Sequence, residues 1–234
     1  MTEKRIIIAL DFPTAVAAEQ FLSGLDPASC RVKIGKELFT AAGPDFVRRI
    51  VAMGFDVFLD LKFHDIPNTV AGAVKVAAEL GVWMINVHAS GGVAMMSDAR
   101  AALEDVSGTR PILIAVTILT SLTEGDLARQ GISCSPAEQV VRLAEMTLEA
   151  GLDGVVCSAA ETPLLRKRFG NGFALITPGI RRTEDAKGDQ KRVVGPSEAV
   201  AMGSNYLVIG RPITQAESPA QALREFNSAV AGDC

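Results

Sequence analysis

The sequence predicts an α/β protein, a single-domain (β/α)8 TIM barrel spanning residues 1–234, and three observations carry that expectation. Short apolar runs rich in β-branched residues recur from end to end. Stretches with helical spacing lie between them. No shift in composition divides the chain. A chain that is 48% hydrophobic and 21% charged, with a formal net charge of −4, has the apolar content to bury a large core, which excludes a disordered polymer.

Taken in order, the strands are read at Arg5–Leu10, Arg31–Gly35, Asp56–Leu61, Trp83–His88, Pro111–Leu119, Gly154–Cys157, Phe173–Thr177 and Tyr206–Gly210. Each is too short for a helix and is bounded by turn or polar residues, as buried parallel strands are. Helices are read at Ala15–Leu25, Asp45–Met53, Asn68–Leu80, Ala94–Leu103, Pro136–Ala150, Pro163–Phe169 and Ala220–Val230. Start signals precede several of them: Asn68 before Thr69, Ser135-Pro136 with Glu138, and Ser218-Pro219. Gly54, Gly81 and Gly151 supply stops. An open doubly wound sheet uses the same elements, but it usually carries a glycine-rich turn after its first strand. Here that turn reads Asp11-Phe12-Pro13-Thr14, and no GxxxxGK[ST] occurs either, so the closed barrel is favoured.

Several partners are excluded by composition. The longest apolar stretch, Pro111–Leu119, is far short of the ~20 residues that cross a bilayer, so no membrane role is expected. Ten Phe, one Tyr and one Trp, with no basic stripe, argue against nucleic acid. The Ile6–Leu10 run is shorter than a signal-peptide core and stops at Asp11, which argues against secretion. Cys30, Cys134, Cys157 and Cys234 form no CxxC pair and read as reduced core or surface thiols, so a cytoplasmic setting is expected.

In a barrel of this kind chemistry belongs at the carboxyl ends of the strands. Those ends hold Asp11, Lys33 to Lys36, the segment Asp60 to Asp65, His88, Thr120-Ser121, Pro178 to Arg181, and Gly210-Arg211. Strand three gives the strongest signal. Alternation in Phe58-Leu59-Asp60-Leu61-Lys62 puts Asp60 and Lys62 on one face, roughly 6.5 Å apart along the strand. Charges entering a barrel interior must be paired, which makes Lys33 the natural neighbour and Asp65 a second carboxylate for an alternating, neutral array. Any one of these charges reads equally well as a rim salt bridge; the D-x-K-x-x-D run followed by Ile66-Pro67-Asn68-Thr69 argues for a site.

The segment Asp60-Leu61-Lys62-Phe63-His64-Asp65-Ile66-Pro67-Asn68-Thr69-Val70 resembles the signature of the orotidine 5'-phosphate decarboxylase family. The resemblance runs the length of the chain, through Ala9-Leu10-Asp11, Val32-Lys33-Ile34-Gly35, Thr117 to Ser121, Thr177 to Arg181, Asp189-Gln190 and Gly210 to Ile213. It implies loss of CO₂ from orotidine 5'-phosphate to give UMP, the last step of de novo pyrimidine nucleotide synthesis, with no metal or organic cofactor. By the same resemblance Lys62 is the proton donor to C6, and Lys33 and Asp60 complete the charged array. Asp65 and Thr69 enter from the partner in a homodimer; Asp11 holds the ribose, and Thr120-Ser121 face the pyrimidine. Gln190, the Gly210 amide and Arg211 match the phosphate grip, with Arg181 as a further binding arginine.

The polar stretch Arg181–Arg192, with Gly188, is expected to be a lid that closes over substrate; its alternative is a solvated loop. His64 and His88 lack a third ligand at metal spacing, which argues against zinc, and His88 reads as a packing and hydrogen-bonding residue. Ser90-Gly91-Gly92 reads as a tight turn rather than an anion site. Two other functions stay open. A related barrel acting on sugar phosphates with Mg²⁺ tends to carry a carboxylate on strand two, where this chain has Lys33. A non-catalytic phosphate-ligand barrel has no use for four converging charges.

Overall fold

The computed structural model describes residues 4–182 and 194–231. Its strands are β1 (Ile6–Ala9), β2 (Arg31–Gly35), β3 (Val57–Phe63), β4 (Met84–His88), β5 (Ile112–Val116), β6 (Gly154–Val156), β7 (Ala174–Pro178) and β8 (Tyr206–Ile209). All pair in parallel with their sequence neighbours, and β8 returns to β1 to close the barrel. Helices fill the crossovers: α1 (Ala15–Leu22), α2 (Lys36–Ala52), α3 (Pro67–Ala78), α4 (Val93–Ala101), α5 (Glu124–Arg129), α6 (Pro136–Glu149), α7 (Thr162–Phe169), α8 (Pro196–Ala201), α9 (Arg211–Thr214) and α10 (Pro219–Ala231). The predicted fold class is therefore observed.

Local chemistry explains the helix starts. Ser135 and Glu138 form a reciprocal capping box that satisfies free N–H groups at the head of α6, and Thr123 with Asp126 does the same for α5. The expected stops at Gly54, Gly81 and Gly151 are observed at positive φ. Four helical segments escaped the sequence pattern: the first part of α2, and α5, α8 and α9. The α2 pattern hides because Gly43 breaks the helix at φ 70 and Pro44 restarts it, so only the second half shows a clean apolar stripe. The others span four to six residues, too short for a periodic signal.

Two apolar layers build the body. One lies between strands and helices and includes Ile6, Ile8, Val32, Ile34, Leu59, Ile85, Leu113 and Phe226. The other fills the barrel interior with Ile7, Ala9, Phe58, Met84, Ile114, Ile176, Tyr206 and Val208. Strand alternation separates them, since neighbouring residues point to opposite faces of the sheet. At the amino end of the barrel the Arg31 guanidinium lies 4.1 Å from the Trp83 ring centroid and 5.0 Å from that of Tyr206. Arg31 also donates to the Lys4 carbonyl and pairs with Asp56, which holds Lys4 at 2.7 Å. That end is plugged.

Candidate active site

The opposite end is hollow. A cavity of about 150 Å³, open at its mouth, is lined by Lys33, Asp60, Lys62 and Thr120 over an apolar base that includes Phe58, Ile176 and Val208. The polar groups come from strand ends and the apolar base is the top of the interior core. This is the division of labour expected of a site that must orient a ligand while excluding water.

Asp60 is the hub. It is 8% exposed, and one carboxylate oxygen accepts from Lys62 Nζ at 2.6 Å while the other faces Lys33 Nζ at 3.2 Å. Burial alone raises its carboxyl pKa, but the combined pull of Lys33 and Lys62, with hydrogen bonds from Lys62 and Asn86, holds it below the ordinary carboxylate range. A buried carboxylate kept ionised by two ammonium groups aims them in return. Lys33 also reaches Asp11 at a looser 3.5 Å. A Cβ on Gly35 would stand 3.2 Å from Lys33 Nζ, so the glycine leaves that amine its space. Gly210 sits beside Asp11: a Cβ there would lie 3.9 Å from its carboxylate.

Simple alternation does not place Lys62. Between the pairs Leu59–Ile85 and Phe63–Val87, β3 advances four positions while β4 advances only two. The surplus is taken up by a bulge, in which Lys62 adopts φ 54, the single positive-φ residue other than glycine among the described residues. A left-handed conformation at such a residue costs roughly 1–2 kcal/mol, and it persists only where surroundings enforce it. The bulge swings the lysine back so that its amine touches the Asp60 carboxylate directly, rather than standing a strand repeat away.

Asn86 of β4 enforces it. This residue is fully buried; its Oδ1 accepts the Lys62 backbone N–H at 2.8 Å and its Nδ2 donates to Asp60 Oδ1 at 2.7 Å. Sequence reasoning missed it. The available signal was an amide at an inward-facing position of an otherwise apolar run, where a polar group must be satisfied by something equally buried.

The remaining expectations divide. Thr120 lines the cavity beside the charged residues. Ser121 opens instead onto the neighbouring cleft, shared with Ser135 and Ser158. Asp65 corrects the local array: it is exposed, and its carboxylate accepts the Ile66 N–H at 2.7 Å instead of joining Lys33, Asp60 and Lys62 of its own chain. Thr69, in the first turn of α3, is exposed too. A single chain therefore builds three members of the four-charge set. Arg181 follows β7 and is 6% exposed, and Arg211 begins α9 and is exposed. Gln190 and the expected lid beyond Arg182 lie outside the described residues. His88 is half-buried, and its ring lies 5.5 Å from that of the exposed His64. Burial first, then His64, Lys36 and Lys62, hold His88 below its ordinary value, which leaves it neutral near pH 7.

Known proteins match this arrangement over nearly the full chain. The family model described as "Orotidine 5'-phosphate decarboxylase / HUMPS family" matches residues 4–226. An orotidine 5'-phosphate decarboxylase of Photobacterium profundum is 57% identical over 231 residues, covering 99% of this chain and all of that protein. One from Vibrio campbellii is 55% identical with 99% of each covered. The crystal structure of orotidine 5'-phosphate decarboxylase from Lactobacillus acidophilus superposes with a TM-score of 0.87 at 37% identity, covering 98% of this chain and 100% of that one. With a closed barrel and a Lys–Asp–Lys mouth already in place, these matches make the chain a member of the orotidine 5'-phosphate decarboxylase / HUMPS family.

Proposed function

We propose that this chain decarboxylates orotidine 5'-phosphate to UMP and CO₂, the last step of de novo pyrimidine nucleotide synthesis, without a cofactor. The observation that carries the reading is the buried Asp60 carboxylate holding the Lys62 ammonium at 2.6 Å on the wall of the cavity.

The reaction explains why such a group is needed. When the C6–carboxylate bond breaks, the electron pair stays on C6 in an in-plane orbital that no adjacent carbonyl stabilises by resonance. The barrier reduction required is on the order of 20 kcal/mol. Lys62 meets the growing charge with a fixed ammonium and then transfers its proton to C6; the neutral amine is reprotonated from water. A pre-aimed charge in a water-poor cavity is worth far more than the same charge in solution. Asp60 keeps the ammonium charged, and the substrate carboxylate that approaches it loses its own charge as CO₂ leaves. Of the two effects, transition-state stabilisation by Lys62 is the one the geometry supports, since its ammonium already stands on the cavity wall at 2.6 Å from Asp60.

Binding energy comes from the other end of the substrate. Asp11 and Lys33 suit the ribose hydroxyls, and Thr120 suits the polar edge of the pyrimidine, whereas Ser121 faces the adjoining cleft. Arg181, Gln190, Arg211 and the Gly210 amide form the phosphate grip, in the loops after strands seven and eight where barrels of this type bind phosphate. Arginine meets phosphate oxygens in pairs.

The working unit in this reading is a homodimer, with Asp65 and Thr69 of each chain completing the partner's array. Their exposure supports it, as does Ile66, 66% exposed between them, and Val76, 58% exposed on α3. The setting is a reduced cytoplasm; Cys30, Cys134 and Cys157 are all free thiols. Among the described residues no helix is long and apolar enough to cross a membrane.

A spectrophotometric assay with orotidine 5'-phosphate, run with and without EDTA, tests the reading. Turnover unaffected by chelator is expected; loss on chelation would revive metal-dependent chemistry, and UMP binding without turnover would reduce the chain to a binder. Mixing inactive Lys62→Ala with inactive Asp65→Ala should restore activity through hybrid sites. No recovery despite demonstrated subunit exchange would sink the shared site.

A further inference from the structure

Asn86 carries two hydrogen bonds that converge on the reacting machinery from a neighbouring strand. Its side chain has no exposure to solvent, among interior residues such as Phe58, Met84 and Ile114. Its orientation is fixed by chemistry: a backbone N–H can only donate and a carboxylate only accepts, so Oδ1 must face Lys62 and Nδ2 must face Asp60. One rigid amide thus ties the left-handed backbone of the lysine to the carboxylate that its own amine grips.

An ordinary strand residue in place of Lys62 would give its N–H to the β-ladder. The bulge removes that partner, and a buried backbone donor without an acceptor is costly. Asn86 replaces the ladder bond with a side-chain bond. It also supplies the second donor to Asp60 Oδ1, whose other donor is Lys62 Nζ. With both donors in place the carboxylate cannot rotate to follow the lysine.

We propose that Asn86 is a positioning residue for decarboxylation: it locks the Lys62 backbone and the Asp60 carboxylate together, so that the amine points into the cavity before substrate arrives. The inference rests on Lys62 being the proton donor.

The test compares Asn86→Asp, Asn86→Ala and Lys62→Ala with the native protein, measuring kcat, KM, UMP binding and folding by circular dichroism. Asn86→Asp keeps the shape and the acceptor for the Lys62 N–H but sets a second carboxylate against Asp60. The expected result is a kcat lowered by about 10²-fold near neutral pH, as for a reacting group misplaced by a fraction of its reach, with KM and UMP binding changed by less than about threefold. The charged and titratable groups that face this position are Lys33 from β2, Asp60 and Lys62 from β3, and His88 further along β4. Acidification should return activity to Asn86→Asp, because the added carboxyl then gains a proton that it can donate to Asp60 as the amide does. Asn86→Ala should fall as far and show no such return.

A kcat within about threefold of native in either folded variant, or an Asn86→Asp pH profile parallel to the native one, overturns the role. Should Asn86→Ala not fold, the isosteric Asn86→Asp decides alone. If Lys62→Ala retains turnover, the proton-donor reading fails, whatever the Asn86 variants do. If Lys62→Ala is dead while both Asn86 variants are normal, only the positioning role is lost.

Discussion

At the amino end of the barrel the Arg31 cation lies against Trp83 and Tyr206, bonded to a backbone carbonyl and to Asp56; at the carboxyl end Lys33 and Lys62 share Asp60 beside an open cavity. Both ends carry cations paired with carboxylates. They differ in what occupies the remaining face of each charge. Aromatic rings take up that face of Arg31, so its charge is turned to closing the barrel rather than to a ligand. The mouth lysines keep a face free for a ligand. A charge cluster in a barrel therefore says little about function until one asks which of its sides is still available.

The contrast can be broken by exchanging the consequences of mutation at the two ends. Lys62→Ala should lower kcat by at least about 10⁴-fold, the combined scale of a lost general acid and a lost electrostatic partner, with little change in melting temperature. Near-normal turnover would erase the functional half of the comparison. Arg31→Ala should do the reverse: about 2–3 kcal/mol less stable in urea unfolding, from lost ring stacking and stem packing, with kcat/KM unchanged once folded. A fall in kcat/KM without a loss of stability would mean that the plugged end reports to the site.

Smaller effects sharpen the comparison. The Asp60 pKa is depressed when folded, so its contribution to stability is fully present above the ordinary carboxylate value of 3.8 and is lost as pH falls through the lower folded value. Unfolding measured between pH 6 and the acid limit should show that loss, and Asp60→Asn should flatten this part of the curve. Least visible is the thiol chemistry. Cys157 lines the mouth cavity, yet burial pushes its pKa up to about 12, and that of Cys30 to about 11. Burial keeps both thiols protonated at ordinary pH, and a buried neutral thiol is a poor nucleophile. Native-state alkylation followed by mass spectrometry should leave Cys30 and Cys157 unmodified until denaturant is added; rapid labelling of Cys157 would show the mouth to be more open than its lining indicates.

Much of this was legible in the chain. Eight apolar runs became eight strands, because a doubly buried strand has no polar face to disguise it. The limits appeared where backbone geometry departs from a repeat. Strand three was read as ending at Leu61 but continues to Phe63, since the bulge carries the ladder past the charged residues. The fifth run was read through Leu119, whereas the strand ends at Val116 and the apolar residues beyond it turn to line the cavity wall. Lys33, Asp60 and Lys62 were legible because three ionisable residues at strand ends demand partners. Asn86 was not, because an uncharged amide inside an apolar strand announces nothing until the groups it satisfies are seen. Asp65 was legible as a residue but not in its contacts: its carboxylate accepts the Ile66 N–H instead of joining the array.

The bulge in β3 also bears on attempts to transplant this chemistry. A lysine written onto the third strand of another barrel would project with the ordinary alternation and miss its carboxylate. What must travel is a small cassette: the surplus residues of the strand, the aspartate before them, and an asparagine on the adjoining strand at matching height. Designers who move the side chain alone should expect a well-folded protein with an idle amine.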